Sequence, residues 1–399
     1  MKILIVANFT LDMTEGLVDG RFCYLAEMLA ADGHTVELIT SSFSHKDKRQ
    51  KGAPLQSSYK AKITYIYEPG YIKHTGLRRL WSHYIWGKNV IKYVKTLSKS
   101  DLIYCAVPSL TAPKLLASYC MKNNVKFAID VQDLWPEATF MLLRNKMLKF
   151  FAFPMVWYVN KTYSKADYII GVSDTYVDRA MSVNLKNPKC KTVYLGNNAC
   201  DFDEAKKKYR ELNKPNNEFW ICYIGTLSYS YDLDCVIDAI AIVNQRKTVI
   251  KNIRFIICGD GPFRKRFEQN VKAKNILSTF YGFLPYDKMV GIMSSSDVVA
   301  NCIIKDAAQS ITNKVGDYAL SGLPVINTQE CMEYRNLVDE YSCGINCECG
   351  NSQMVADAIE ELANNDEMCK IMGNNARRLG VEHFDRRHTY TQITNMFTD

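Results

Sequence analysis

At 399 residues the chain exceeds what one ordinary core organises, so two domains are expected. Hydrophobic residues at 47% and charged residues at 23% exclude a disordered chain, and the longest apolar run, Phe150 to Val159, is about half a bilayer span. The net charge of +8 comes without a nucleic-acid reader motif, and the 14 cysteines never form a Cys-x-x-Cys pair, which argues against nucleic acid, zinc ribbons and thioredoxin chemistry.

The apolar run Lys2–Ala7 reads as a strand with no secretory signal before it, so idle thiols in a reducing cytosol are the expected state. Gly20–Asp32 follows as an amphipathic helix and Thr35–Thr40 as a second strand. Gly16 and Gly20 flank the intervening loop, where backbone can approach phosphate closely, and Arg21 opens the helix. From Pro69 to Ser100 the chain carries Lys73, Arg78, Arg79, Lys88, Lys92, Lys95 and Lys99 with no acid. Leu77, Leu80, Trp81, Tyr84, Ile85, Ile91 and Val94 recur among them at helical spacing. A second acid-free stretch, Ala138 to Ala166, again mixes basic and aromatic residues. Such stretches suit an anionic membrane surface, or else form solvated basic helices whose apolar faces join the core.

Strands at Asp101–Val107, Lys126–Val131 and Tyr168–Val172 alternate with helices at Ser109–Asn123 and within Asn145–Ser164, which predicts a parallel sheet covered on both faces. Asp130 and Asp133 sit where one of these strands ends; Asp133 is the candidate for the site, while Asp130 also suits a turn cap. The pattern breaks after Tyr194, and Asp203 to Asn217 reads as a linker and surface helix. Alternation restarts with strands at Trp220–Ile224, Arg254–Cys258, Ser278–Gly282, Val298–Asn301 and Pro324–Ile326. Two Rossmann-like halves are expected, with ligand bound in a cleft between them at the strand carboxyl ends.

The segment Ser310 to Ile326 carries the densest chemistry. A polar cap and Lys314 precede a short helix bearing Asp317, then Gly-x-Pro and a strand. Unpaired N–H groups at Asn313 and the lysine favour a diphosphate, and a carboxylate one turn on can accept from ribose hydroxyls.

Gly33-His34-Thr35-Val36, Asp130-Val131-Gln132-Asp133-Leu134-Trp135-Pro136, Cys258-Gly259-Asp260-Gly261-Pro262, Tyr281-Gly282-Phe283-Leu284-Pro285 and the Lys314–Ile326 segment occur in this order. Together they resemble the family 4 retaining glycosyltransferases of the GT-B fold, of the bacterial surface-polysaccharide type. The resemblance implies a Rossmann-like acceptor domain at 1–196, a nucleotide-sugar domain at 197–380 and a helix at 381–399 that crosses back to the first domain. Phe283 and Leu284 resemble positions that cover the nucleotide base. The family's paired glutamates, eight positions apart, fall here on Gln309 and Asp317, for sugar and ribose respectively. The usual arginine and lysine after the first strand of the second domain are replaced by Gly225-Thr226-Leu227-Ser228, which shifts the diphosphate onto Lys314 and backbone amides.

By this resemblance the donor is a UDP-sugar and the acceptor an undecaprenyl-diphosphate-linked saccharide of a capsule or O-antigen. The enzyme would work in the cytoplasm at the inner membrane face. Neither a cofactor nor an essential divalent metal is expected. A UDP-sugar 2-epimerase on the same fold and a non-catalytic nucleotide-sugar-binding subunit stand as alternatives.

Overall fold

A computed structural model of the chain describes residues 1–14, 20–73, 76–107, 109–134, 153–210, 214–305 and 311–398. The chain forms two compact units, Met1–Val193 with Tyr390–Asp399, and Tyr194–Thr389. The division falls where the strand–helix alternation lapses, and residues 381–389 stay with the second unit.

The first unit runs β1 (Lys2–Ala7), α1 (Arg21–Ala31), β2 (Thr35–Ser41), β3 (Phe43–Ser44), β4 (Arg49–Gln50), β5 (Lys62–Ile66), α2 (Leu77–Val94), β6 (Leu102–Val107), α3 (Thr111–Asn123), β7 (Lys126–Val131), α4 (Phe153–Tyr163), β8 (Tyr168–Gly171), α5 (Asp174–Met181) and β9 (Lys189–Thr192). Its main sheet is parallel, in the order β5-β2-β1-β6-β7-β8-β9, beside the small antiparallel pair β3-β4. Buried residues run almost unbroken along β1, β6 and β7, as a sheet covered on both faces requires. Gly33 turns the chain from α1 into β2 with φ of 85°, a left-handed conformation that side chains disfavour. The helix Thr391–Thr398 belongs to this unit, and Tyr390, Ile393 and Phe397 enter its core beside Phe22 and Tyr104.

The second unit runs α6 (Ala199–Lys208), β10 (Glu218–Ile224), α7 (Leu233–Arg246), β11 (Asn252–Cys258), α8 (Arg264–Ala273), β12 (Leu277–Gly282), α9 (Tyr286–Ser294), β13 (Val298–Asn301), α10 (Asn313–Ser321), β14 (Val325–Asn327), α11 (Met332–Tyr341), β15 (Gly344–Asn346), α12 (Ser352–Ala363) and α13 (Asp366–Leu379). Its parallel order is β12-β11-β10-β13-β14-β15. In each sheet the first strand lies inside, and the chain reverses its direction of travel across the sheet beside it. Such a switch point opens a crevice at the strand carboxyl ends. In the second unit the switch lies between β10 and β13, so the turn after Ile224 and the start of α10 rim one crevice.

All fourteen cysteines are free thiols. Among the described residues, no helix is long and apolar enough to cross a membrane.

Candidate functional site

Helix α10 is buried along most of its length, and its first turn delivers Lys314 to the crevice. The Lys314 ammonium lies 4.3 Å from the Tyr223 ring centroid and 3.8 Å from that of Tyr231. It has no hydrogen-bond partner among the described residues. Among the described residues this buried ammonium meets aromatic faces and no counter-anion, and burial lowers its pKa from 10.5 to about 7. An entering diphosphate would supply both the missing charge and the missing acceptors.

Gly225 follows β10 with φ of 128°, and a Cβ there would lie 3.6 Å from Lys314 Nζ. The absence of a side chain keeps the approach to the ammonium open. The Tyr223 hydroxyl donates to the Thr226 carbonyl at 2.9 Å, which ties the turn to the aromatic bracket.

One helical turn beyond Lys314, the Asp317 carboxylate accepts from Asn197 Nδ2 at 2.5 Å and from the Tyr286 hydroxyl at 2.8 Å. Burial raises its pKa from 3.8 to about 6, against the opposing pull of Tyr286, Arg386 and Asn197. Among the described residues both hydrogen bonds to Asp317 fall on Oδ1, and Oδ2 can accept from a ligand hydroxyl. Gly225, Thr226, Phe283, Leu284, Asn313, Lys314 and Asp317 all line one cavity of about 440 Å³. Phe283 is 77% exposed at this cavity, a position suited to stacking on a base and not to core packing.

The glycines of Gly259-Asp260-Gly261 are structural. A Cβ on Gly259 would meet the Gly225 carbonyl oxygen at 1.8 Å, and one on Gly261 would meet that of Leu227 at 2.3 Å. Their role is to let the turn after β11 press against the turn after β10.

The remaining expected residues belong to the first unit. Gly20 precedes α1 with φ of 78°, and Asp133 is half-buried just after β7. Arg21, which opens α1, makes an internal ion pair. Its Nε donates to Asp130 at 2.6 Å and its Nη1 to the Val193 carbonyl at 2.9 Å, while the Tyr104 hydroxyl reaches the same carboxylate. Asp130 is 0% exposed, so it needs this cation and does not cap a turn at the surface. Gly16 and Gln309 lie outside the described residues. Tyr223, Tyr231, Asn197 and Tyr286 escaped the sequence reading. Each lies far from Lys314 or Asp317 along the chain, and a tyrosine or asparagine at a strand end or loop carries no distinctive spacing.

Among the described residues, no three His, Cys, Asp or Glu side chains converge as a metal-binding group.

Residues 21–198 match the family described as Glycosyltransferase Family 4, and residues 204–379 match Glycosyl transferases group 1. An uncharacterized glycosyltransferase of Methanocaldococcus jannaschii is 20% identical over 238 residues, 59% of each chain. The O-antigen chain mannosyltransferase C of Escherichia coli is 23% identical over 239 residues, 59% of this chain and 61% of its own. The chain therefore spans about three fifths of the length of these curated relatives. A crystal structure of Anabaena HepE in complex with UDP superposes with a TM-score of 0.70 at 18% identity, covering 100% of both chains. The two parallel-sheet units are those of the GT-B fold.

Proposed function

The chain belongs to the family 4 glycosyltransferases, and from that premise we propose that it transfers a sugar from a UDP-sugar to a lipid-linked saccharide acceptor in surface-polysaccharide assembly, with retention at the anomeric carbon. The observation that carries this reading is the buried Lys314 ammonium, without a hydrogen-bond partner among the described residues, one turn from the Asp317 carboxylate in a single cavity. The UDP bound to the Anabaena protein and the O-antigen role in the name of the Escherichia coli relative support it.

In this mechanism the uridine stacks at Phe283 and Leu284, the ribose hydroxyls donate to Asp317, and the diphosphate rests on Lys314 and the amides that open α10. As the glycosidic bond to the diphosphate lengthens, negative charge grows on the departing oxygen. Lys314 faces that charge in a site shielded from water, where a fixed cation acts most strongly. The acceptor hydroxyl attacks from the side of the leaving group and its proton passes to the departing diphosphate, so no protein nucleophile is used. The neutral Gly225-Thr226 turn leaves Lys314 as the principal cation. Gln309 is proposed to meet the sugar hydroxyls, and Asp133 the acceptor or the transferred sugar.

We further propose peripheral attachment to the cytoplasmic membrane face through the basic helix α2, and turnover without a divalent metal. The experiment is a screen of UDP- and GDP-sugars for binding, followed by transfer to a polyprenyl-diphosphate glycan, with and without EDTA. UDP-sugar binding with EDTA-resistant transfer is expected. Binding without transfer or donor hydrolysis would leave a nucleotide-sugar-binding subunit, and release of an epimerised donor would identify an epimerase.

A further inference from the structure

The first unit contains a separate cavity of about 370 Å³ between α2, the start of α3 and α4, within the range of about 300–1,000 Å³ usual for small-molecule pockets. Its lining combines the apolar or aromatic Leu80, Tyr84, Met155 and Tyr158 with the polar Arg79 and His83.

Arg79 and His83 also belong to a cluster of cations and rings around the buried Tyr71. The Arg79 guanidinium lies 5.9 Å from the Tyr71 ring centroid and 5.7 Å from that of Phe9, and Lys48 Nζ is 4.9 Å from Tyr71. The Tyr71 hydroxyl is 2.5 Å from His45 Nδ1 and 3.4 Å from His83 Nε2. The neighbouring carboxylate, Glu68, is 3.8 Å from His83 and already accepts from Ser41, Ser82 and Asn8. Burial, and to a lesser degree the charges of Arg79 and His45, drive the His83 pKa down to about 3, so this imidazole is neutral and the charge here is carried by Arg79 and Lys48.

Two of the lining residues belong to an exposed stripe. Leu77, Leu80, Trp81 and Tyr84 recur at helical spacing on α2 with exposures of 84%, 41%, 47% and 49%. Four large apolar side chains in one exposed row need a reason, and this row leads into the cavity, because Leu80 and Tyr84 belong to both.

An apolar groove that ends at concentrated positive charge matches an anionic head on a long hydrocarbon chain. We propose that this cavity binds the first isoprenoid units of a polyprenyl-diphosphate lipid, with the diphosphate at Arg79 and Lys48 and the chain leaving along the α2 stripe. The proposal rests on the lipid-linked acceptor reading above, and it assigns that acceptor a defined seat in place of a general attraction to the membrane.

The test is a titration of the full chain, first with UDP and then, at saturating UDP, with farnesyl diphosphate, followed by tryptophan fluorescence. The UDP step reports on the donor reading alone, so its failure is distinguishable from failure here. Saturable farnesyl diphosphate binding is expected, tenfold or more weaker in Arg79→Gln. The double variant Leu80→Ser/Tyr84→Ser, altered only at part-exposed positions, should weaken farnesyl diphosphate by a similar factor and leave binding of inorganic pyrophosphate unchanged. Unaltered farnesyl diphosphate affinity in both variants would overturn the proposal. So would pyrophosphate competing as tightly as the isoprenoid, or variants that lose only sedimentation with anionic vesicles.

Discussion

At Lys314 a charge is held in reserve by its surroundings. Its pKa of about 7 in the fold, against 10.5 ordinarily, means that the unfolded chain binds more protons between these values, so this group makes stability rise with pH across that window. Lys314→Met should flatten that rise, as pH-dependent denaturation would read. A diphosphate beside the ammonium restores its proton, so UDP binding at pH 8 should take up about one proton, measured by calorimetry in buffers of different ionisation heat. Asp317 runs the other way. Its folded pKa of about 6 lies above 3.8, so stability falls as pH rises through this interval and stays reduced above it. Asp317→Asn keeps an oxygen for Asn197 and Tyr286 and removes the buried charge. It should stabilise the protein above pH 6 by on the order of 1–3 kcal/mol while weakening UDP. Stability exchanged for function in this way marks a binding residue. Arg21 should behave differently: Asp130→Ala strands a buried guanidinium and should cost about 3–5 kcal/mol, with UDP affinity unchanged. Lys314 and Asp317 were legible because they lie one turn apart on one short helix. Arg21 was not, since its partner stands 109 residues away and nothing in the local sequence announces a buried pair.

At the scale of elements, strands β1, β6, β7, β10, β11 and β13 were readable because burial on both faces favours predominantly apolar runs. Strands β5, β9 and β15 escaped. β5 and β9 lie at or next to a sheet edge and mix lysine and threonine with apolar residues, and β15 has three residues. A strand with one covered face, or barely one turn of sheet, leaves little periodicity to detect. The Gly-Asp-Gly turn was legible as structure, and its geometry makes a strong demand. Gly259→Ala places a methyl inside the Gly225 carbonyl, so either the β10 and β11 turns separate or the chain fails to fold. A loss of more than about 3 kcal/mol is expected, visible as a lowered melting temperature or insoluble expression. Because the Gly225 turn borders Lys314, any folded variant should also lose UDP affinity.

At the scale of the molecule, the chain leaves its first unit at Val193, builds the second, and returns for its last ten residues. The repeated alternation made both Rossmann-like units legible, whereas the exact residue of return was not, because helix follows helix there without a composition change. Tyr390, Ile393 and Phe397 fill the first unit's core, and burying each contributes about 1.5–3 kcal/mol. Deleting residues 390–399 should therefore lower the melting transition of the first unit and spare that of the second, as hydrogen exchange resolved along the chain would show. The residues that line the cavity around Lys314 and Asp317 sit in the second unit, so UDP protection should persist there in the truncated chain. The most direct test is a UDP titration of the parent protein and of Lys314→Ala at pH 8, with proton uptake recorded. UDP should bind the parent with about one proton taken up and bind the variant tenfold or more weakly with none. Equal affinity and equal proton uptake in the two proteins would contradict a diphosphate site built on Lys314.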